Sequence, residues 1–186
     1  MASGVSIQAP AHLAVLALGS NQGDRRANLR RGVAALVDGG GGEVVSSSSI
    51  WASDPVDCEG GEFYNAAVVL RTGQAPGDLL ALCRAVERLA GRTGSRRDAR
   101  PLDLDIVYYD DLAIDGPHLT LPHPARLERP FVLAPLGEAC GDAVDPVTGR
   151  TVGAEAASRR DRARATLRLV EGPGWLGPCP AGEDAA

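Results

Sequence analysis

Residues 12–109 place apolar stretches of two different periods in the order strand, helix, strand, strand, helix, strand, and this order constrains the fold more than any other feature of the chain. The run His12-Leu13-Ala14-Val15-Leu16-Ala17-Leu18 reads as a buried strand. Turn residues 19–24 break it, and Asp24 is placed to cap a helix with Leu29, Val33, Leu36 and Val37 on one side. Glycines at 39–42 stop that helix. Residues 43–51 and 63–70 read as the second and third strands, separated by a polar loop at 52–62. A second helix begins at Asp78, with Leu79, Leu82, Val86 and Leu89 along one face and Gly91 at its end. Residues 102–109 supply the fourth strand. Two helices on one face of an antiparallel sheet satisfy this order, so the expected fold is α+β, a ferredoxin-like sandwich with extra C-terminal elements. Those extras include a helix near 153–164 and a short strand near 166–170. One domain is expected at 12–171, after a leader at 1–11 and before a disordered tail at 172–186, rich in Gly and Pro.

The fourth strand carries chemistry. In Leu102-Asp103-Leu104-Asp105-Ile106 the residues two apart share a face, so both carboxylates project together while Leu104 and Ile106 enter the core. Two adjacent carboxylates repel and need cations, and such oxygen ligands suit Mg²⁺, which is commonly held by one or two carboxylates together with substrate phosphates. Arg92, Arg96, Arg97 and Arg100 lie just upstream and offer planar donors for the same phosphates. An isolated Asp-x-Asp is more often the wet face of an ordinary strand; the arginine loop beside it favours a nucleotide-phosphate site. All 19 basic residues are arginine. The absence of lysine excludes a P-loop lysine, a Schiff-base lysine and the ATP lysine of protein kinases.

Net charge is −5, which argues against nucleic acid as a partner although 84–100 is locally basic. Cys58, Cys83, Cys140 and Cys179 are dispersed without a C-x-x-C pair, so neither a zinc site nor a disulfide framework is expected. Residues 1–10 lack the basic start and apolar centre of a secretory signal, and no run is long enough to span a bilayer. A cytoplasmic monomer without membrane contact is the expectation.

Several separate motifs occur in order. They are Ala17-Leu18-Gly19-Ser20-Asn21 with Gly23-Asp24; Ser53-Asp54-Pro55; Phe63-Tyr64-Asn65-Ala66-Ala67-Val68; Glu87 with Gly91-Arg92; Arg100-Pro101-Leu102-Asp103-Leu104-Asp105; and Pro122-His123 with Arg129-Pro130-Phe131. Through them the chain resembles the 6-hydroxymethyl-7,8-dihydropterin pyrophosphokinase family over residues 13–152. The resemblance implies transfer of pyrophosphate from ATP to a pterin alcohol, giving AMP, in folate biosynthesis. It implies two Mg²⁺ ions held by Asp103 and Asp105, with Arg92 and Arg100 joining them in catalysis. Contacts to ATP would come from Glu87, Arg92, Arg96, Arg97, Arg100, Thr120, His123 and Arg129. The pterin would meet Gly19, Ser53, Val56, Phe63, Asn65 and Phe131. Strand alternation sends Phe63 and Tyr64 to opposite faces, so only one of them lines the pocket. The segment between Gly91 and Asp103 is shorter than in the best-known members, and Gly94 or Ser95 falls where one of their ATP-contacting arginines stands. Two alternatives are a paralogue acting on another pterin alcohol, and a non-catalytic ferredoxin-like module binding nucleotide or RNA on an open sheet face; the lack of aromatics at 13–18 and the net charge of −5 count against the second.

Overall fold

The computed structural model describes residues 11–56, 58–93 and 98–177. Its elements are β1 (His12–Ser20), α1 (Arg25–Asp38), β2 (Glu43–Ser47), β3 (Ile50–Ser53), β4 (Phe63–Thr72), α2 (Pro76–Leu89) and β5 (Asp103–Tyr109). A hairpin of β6 (Ile114–Asp115) and β7 (Thr120–Leu121) follows, then a 3-10 turn (Pro124–Leu127), α3 (Pro130–Ala139), α4 (Val152–Ser158), α5 (Arg160–Thr166) and β8 (Leu167–Glu171). The main sheet runs β5-β1-β4-β3-β8, with β2 also paired to β4, and every pairing is antiparallel. This is the expected ferredoxin-like order, extended at one edge by β8.

Alternation in the central strands divides the core in two. Leu16, Leu18, Val68, Leu70, Leu104 and Ile106 pack with Leu29, Val33 and Leu36 of α1 and Leu79, Cys83 and Val86 of α2. On the opposite face Val15, Ala67, Val69, Val107 and Tyr108 pack with Leu133 and Leu136 of α3 and Val152 of α4. Helices therefore cover much of both faces of the sheet, unlike the wholly open sheet face that an RNA-binding module of this kind uses. Asp24 caps α1 through its Oδ1, which accepts from the Ala27 amide at 3.1 Å. The buried side of α2 is Leu79, Cys83, Val86 and Glu87; Leu89, expected on that side, is exposed.

Four further expectations need correction. The single strand at 43–51 is two, because Ser48 and Ser49 turn inward between them: Ser48 Oγ accepts from the Ala67 amide at 2.8 Å, and the Ser49 amide donates to Glu138 at 2.7 Å. The helix at 153–164 is broken at Arg159 into α4 and α5. The stretch 130–139, for which no helix was expected, forms α3. Part of the tail assigned to disorder is docked. Trp175 is buried, its Nε1 donates to the Ser48 carbonyl at 2.7 Å, and the Trp175 carbonyl accepts from Arg30 Nε at 2.5 Å. One large apolar ring outweighs the Gly- and Pro-rich composition around it. Leader residues 1–10 and tail residues 178–186 lie outside the described residues, as do Arg96 and Arg97. Among the described residues no helix is long and apolar enough to cross a membrane.

Candidate active site

The register of the sheet brings the site together. Asp103 of β5, Gly19 of β1, Asn65 of β4 and Trp51 of β3 stand side by side across four strands, and Asp105, Ala17 and Ala67 form the next row. Neighbours in a row share a face, and this is the α3 face. The small residues Gly19 and Ala17 therefore leave a shallow floor between carboxylates on one strand and an amide on another. A cleft of about 810 Å³ opens over it, a size suited to small-molecule ligands. Its lining includes Asp103, Asp105, Glu87, Arg92, Arg100, Thr120, His123 and Arg129 toward the β5 edge. Toward β3 and β4 it includes Gly19, Ser53, Val56, Phe63, Asn65 and Phe131. Every site residue expected from the sequence and described in the structure lines this one cleft.

At the carboxylate end, β5 is a sheet edge, and Glu87 at the end of α2 accepts from its Leu104 amide at 2.8 Å. The same carboxylate binds Arg92, whose Nη1 also donates to Asp103 at 2.6 Å; Arg100 Nε lies 3.3 Å from the other Asp103 oxygen. Burial raises the Glu87 pKa, and the Leu104 amide and the Arg92 charge only partly oppose it. Glu87 thus serves chiefly to hold Arg92 and the strand edge in place. Beneath it, burial, with help from the Glu87 and Asp105 charges, pushes the Cys83 thiol up to about 12 and keeps it unreactive.

His123 enters the cleft from the start of the 3-10 turn. Its Nδ1 accepts from the Ala125 amide at 3.2 Å, so the neutral ring carries its proton on Nε2. Arg129 precedes α3, whose first helical residue is Pro130, and Phe131 follows. At the other end Asn65 Nδ2 donates to Ser53 Oγ at 3.0 Å and to the Trp51 carbonyl at 3.2 Å. Phe63 faces the cleft, while Tyr64 turns away to stack under Arg25, 3.9 Å from its ring centre. The Arg100 guanidinium lies 5.5 Å from the Phe63 ring centre, and that of Arg129 lies 5.8 Å from Phe131. These two cation-π pairs join the arginine-lined end of the cleft to the end lined by Phe63 and Phe131. Gly19 has protein-side room for a methyl group, since a Cβ there would meet Phe63 and Asp103 at 3.5 and 3.6 Å.

A sequence model of the family 7,8-dihydro-6-hydroxymethylpterin-pyrophosphokinase (HPPK) matches residues 15–141. The chain belongs to this family. It is 43% identical over 131 residues to the 2-amino-4-hydroxy-6-hydroxymethyldihydropteridine pyrophosphokinase of Bacillus subtilis, covering 69% of this chain and 78% of that one. With the enzyme of the same name from Synechocystis it shares 38% identity over 142 residues, 76% of this chain and 73% of the relative. In structure it resembles wild-type HPPK-DHPS of Plasmodium falciparum with pteroate, at a TM-score of 0.69 and 16% identity over 89% of this chain. It spans 47% of that longer protein, and the likeness bears on the fold.

Within this HPPK scaffold some contributors went unread in the sequence. Asn21, which the sequence marks only as part of a motif, ties both loops of the cleft together. Its Nδ2 donates to the Glu59 carbonyl at 2.9 Å, its Oδ1 accepts from the Arg100 amide at 2.7 Å, and its own amide donates to the Arg100 carbonyl at 3.1 Å. Gly60 makes this possible, with φ +105° and Asn21 Nδ2 2.6 Å from where a Cβ would stand. Arg84 of α2 and His118 of the β6-β7 hairpin also line the cleft. Arg84 opens the locally basic stretch 84–100, but neither it nor His118 belongs to any of the motifs.

Proposed function

We propose that the chain transfers pyrophosphate from ATP to the hydroxymethyl group of 6-hydroxymethyl-7,8-dihydropterin, giving AMP and the pterin diphosphate for folate biosynthesis. The observation that carries this reading is the single cleft with Asp103, Asp105 and a set of arginines at one end and Phe63, Phe131 and Asn65 at the other. A triphosphate matches the first half. A flat heterocycle with polar edges matches the second, stacked by the rings and read by the amide.

The two cleft carboxylates fit Mg²⁺. Both are hard oxygen donors on one strand face, and among the described residues no group of three or more metal-ligating side chains exists, so phosphates and water would complete the coordination. Asp103 and Asp105 are the residues that would hold two such ions, whose chemistry when bound is neutralisation of charge on the phosphates and activation of the attacking oxygen. In the reaction the pterin hydroxyl oxygen bonds to the β-phosphorus as its proton passes to solvent water. The bond from that phosphorus to the oxygen bridging it to the α-phosphorus breaks, and AMP leaves with the electron pair. Arg92, Arg100, Arg129 and the Nε2–H of His123 stabilise the spreading negative charge. Arg92 and Arg100, bound to Asp103 in this structure, exchange that partner for phosphate. On this reading the protein works in the cytoplasm, where ATP is supplied.

The test is product analysis with ATP, Mg²⁺ and the pterin alcohol. Stoichiometric AMP and pterin diphosphate are expected. Formation of ADP, or of AMP without a pterin product, would overturn the reading.

A further inference from the structure

Arg126 stands between His123 and Arg129 but faces away from the cleft. It is buried, and its guanidinium clasps Asp145 through Nε at 2.5 Å and Nη2 at 2.9 Å. Asp145 is fully buried and also accepts from the Tyr108 hydroxyl at 2.9 Å, the Val147 amide at 2.9 Å and the Thr148 amide at 3.0 Å. Its own segment is a tight hairpin, closed by the Val144-Thr151 bridge and by the Asp145 amide donating to the Arg150 carbonyl at 2.9 Å. Arg126 Nη1 reaches the His123 carbonyl at 3.3 Å, and the His123 amide donates to Val107, next to Tyr108, at 2.9 Å. A continuous set of contacts thus runs from β5, the strand that carries Asp103 and Asp105, through Tyr108, Asp145 and Arg126 to the backbone of His123.

We infer that Arg126 and Asp145 are positioning residues, which fix the His123–Arg129 segment at a set distance from the β5 carboxylates. The inference rests on the proposed reaction for its catalytic consequence, although the geometry it asserts is independent of it. A buried ion pair is weak evidence for stability, because apolar residues of similar volume often replace one at no loss. What such residues cannot replace is a fork of directed hydrogen bonds that fixes one backbone placement. Stability and placement are therefore separable in this protein.

The test uses the full chain and the double variant Arg126→Met, Asp145→Asn, which removes both charges together and keeps an oxygen for the Val147 and Thr148 amides. The thermal midpoint is expected to stay within about 5 °C of wild type. Affinity for a non-hydrolysable ATP analogue should fall about ten-fold or more, while pterin affinity, secured by Asn65 and Ser53, falls less than about three-fold. A second readout needs no activity. The chain has three histidines, so the His123 ring signal can be assigned by loss in His123→Gln, and in the unliganded double variant it should move toward the position of a free imidazole. If the double variant fails to fold, Tyr108→Phe removes one hydrogen bond to Asp145 and should shift the His123 signal in the same direction, with about a two-fold loss of nucleotide affinity. A variant with wild-type affinity and an unmoved His123 signal would overturn the inference. Absence of AMP formation by the wild type would instead overturn the proposed reaction and leave the His123 measurement decisive for positioning.

Discussion

Asp103 and Asp145 are both clasped by arginine, but one lies in an open cleft and the other is shut away from water. The Asp103 side chain is 23% exposed and meets Arg92 and Arg100, while the Asp145 side chain is 0% exposed and takes five hydrogen bonds. Water screens the first pair and lowers the cost of exchanging partners. It is absent from the second, where an unpaired charge would be expensive. The same two residue types therefore form a solvent-screened contact in one place and a desolvated one in the other, which suits the first to exchange partners and the second to act as a fixed brace.

The largest expected effect would break this comparison on the cleft side. Asp105→Asn, and likewise Asp103→Asn, should reduce AMP formation by about 10³-fold or more and shift unfolding free energy by about 1 kcal/mol or less. Turnover assays and urea titrations on the same preparations check both halves, and near wild-type turnover would remove the metal assignment. On the buried side the expected effect falls on stability. Asp145→Ala should lower stability by about 3–5 kcal/mol, because it strands Arg126 without a partner; a loss no larger than that of Asp103→Asn in denaturant titration would erase the contrast.

Asn65→Ala sharpens the cleft side by dividing it. Calorimetry should show pterin binding weakened by about 1–3 kcal/mol, with little change for an ATP analogue; equal losses for both would assign Asn65 a folding role. The smallest effect concerns pH. Burial, the largest influence on Asp145, pushes its carboxyl up, but Arg126 and the amides of Thr148 and Val147 outweigh it and hold the group well below the usual carboxylate range. A carboxyl depressed in the folded state contributes stability above its unfolded pKa, and loses that contribution as pH falls toward the folded value. The stability gap between wild type and Asp145→Ala should thus be full at pH 6 and narrower by about 1 kcal/mol at pH 3. A constant gap across that range would mean that hydrogen bonding, and not the charge, carries the brace.

The cleft half of this contrast was legible in the sequence and the buried half was not. Asp103 and Asp105 sit on a strand whose alternation fixes their common face, and Asn65 and Phe63 share a strand whose register carries them beside Gly19. Arg126 and Asp145 are 19 residues apart, in a 3-10 turn and a loop, where no period links one position to another. The start of α3 was hidden by Pro130 and Pro135. Pro130 is tolerated because the first helical position needs no N–H donor, while Pro135 removes one internal bond from a helix held by Leu133 and Leu136 in the core. Trp175 was hidden by composition, since a single ring leaves no periodic trace.

The docking of β8 and Trp175 also sets an order of events during synthesis. β3, which carries Ser53, pairs on its outer side with β8, as Ser53 with Leu167 and Trp51 with Leu169, and Trp175 then anchors on Ser48. The carboxylates, Arg92 and Arg100 all leave the ribosome before that outer neighbour does. A nascent chain halted ahead of β8 would hold the carboxylate end of the cleft beside a strand with an unpaired edge, open to pairing with another chain. The outer edge of β3, beside the Ser53 end of the cleft, is thus paired only after the last strand of the sheet has been made.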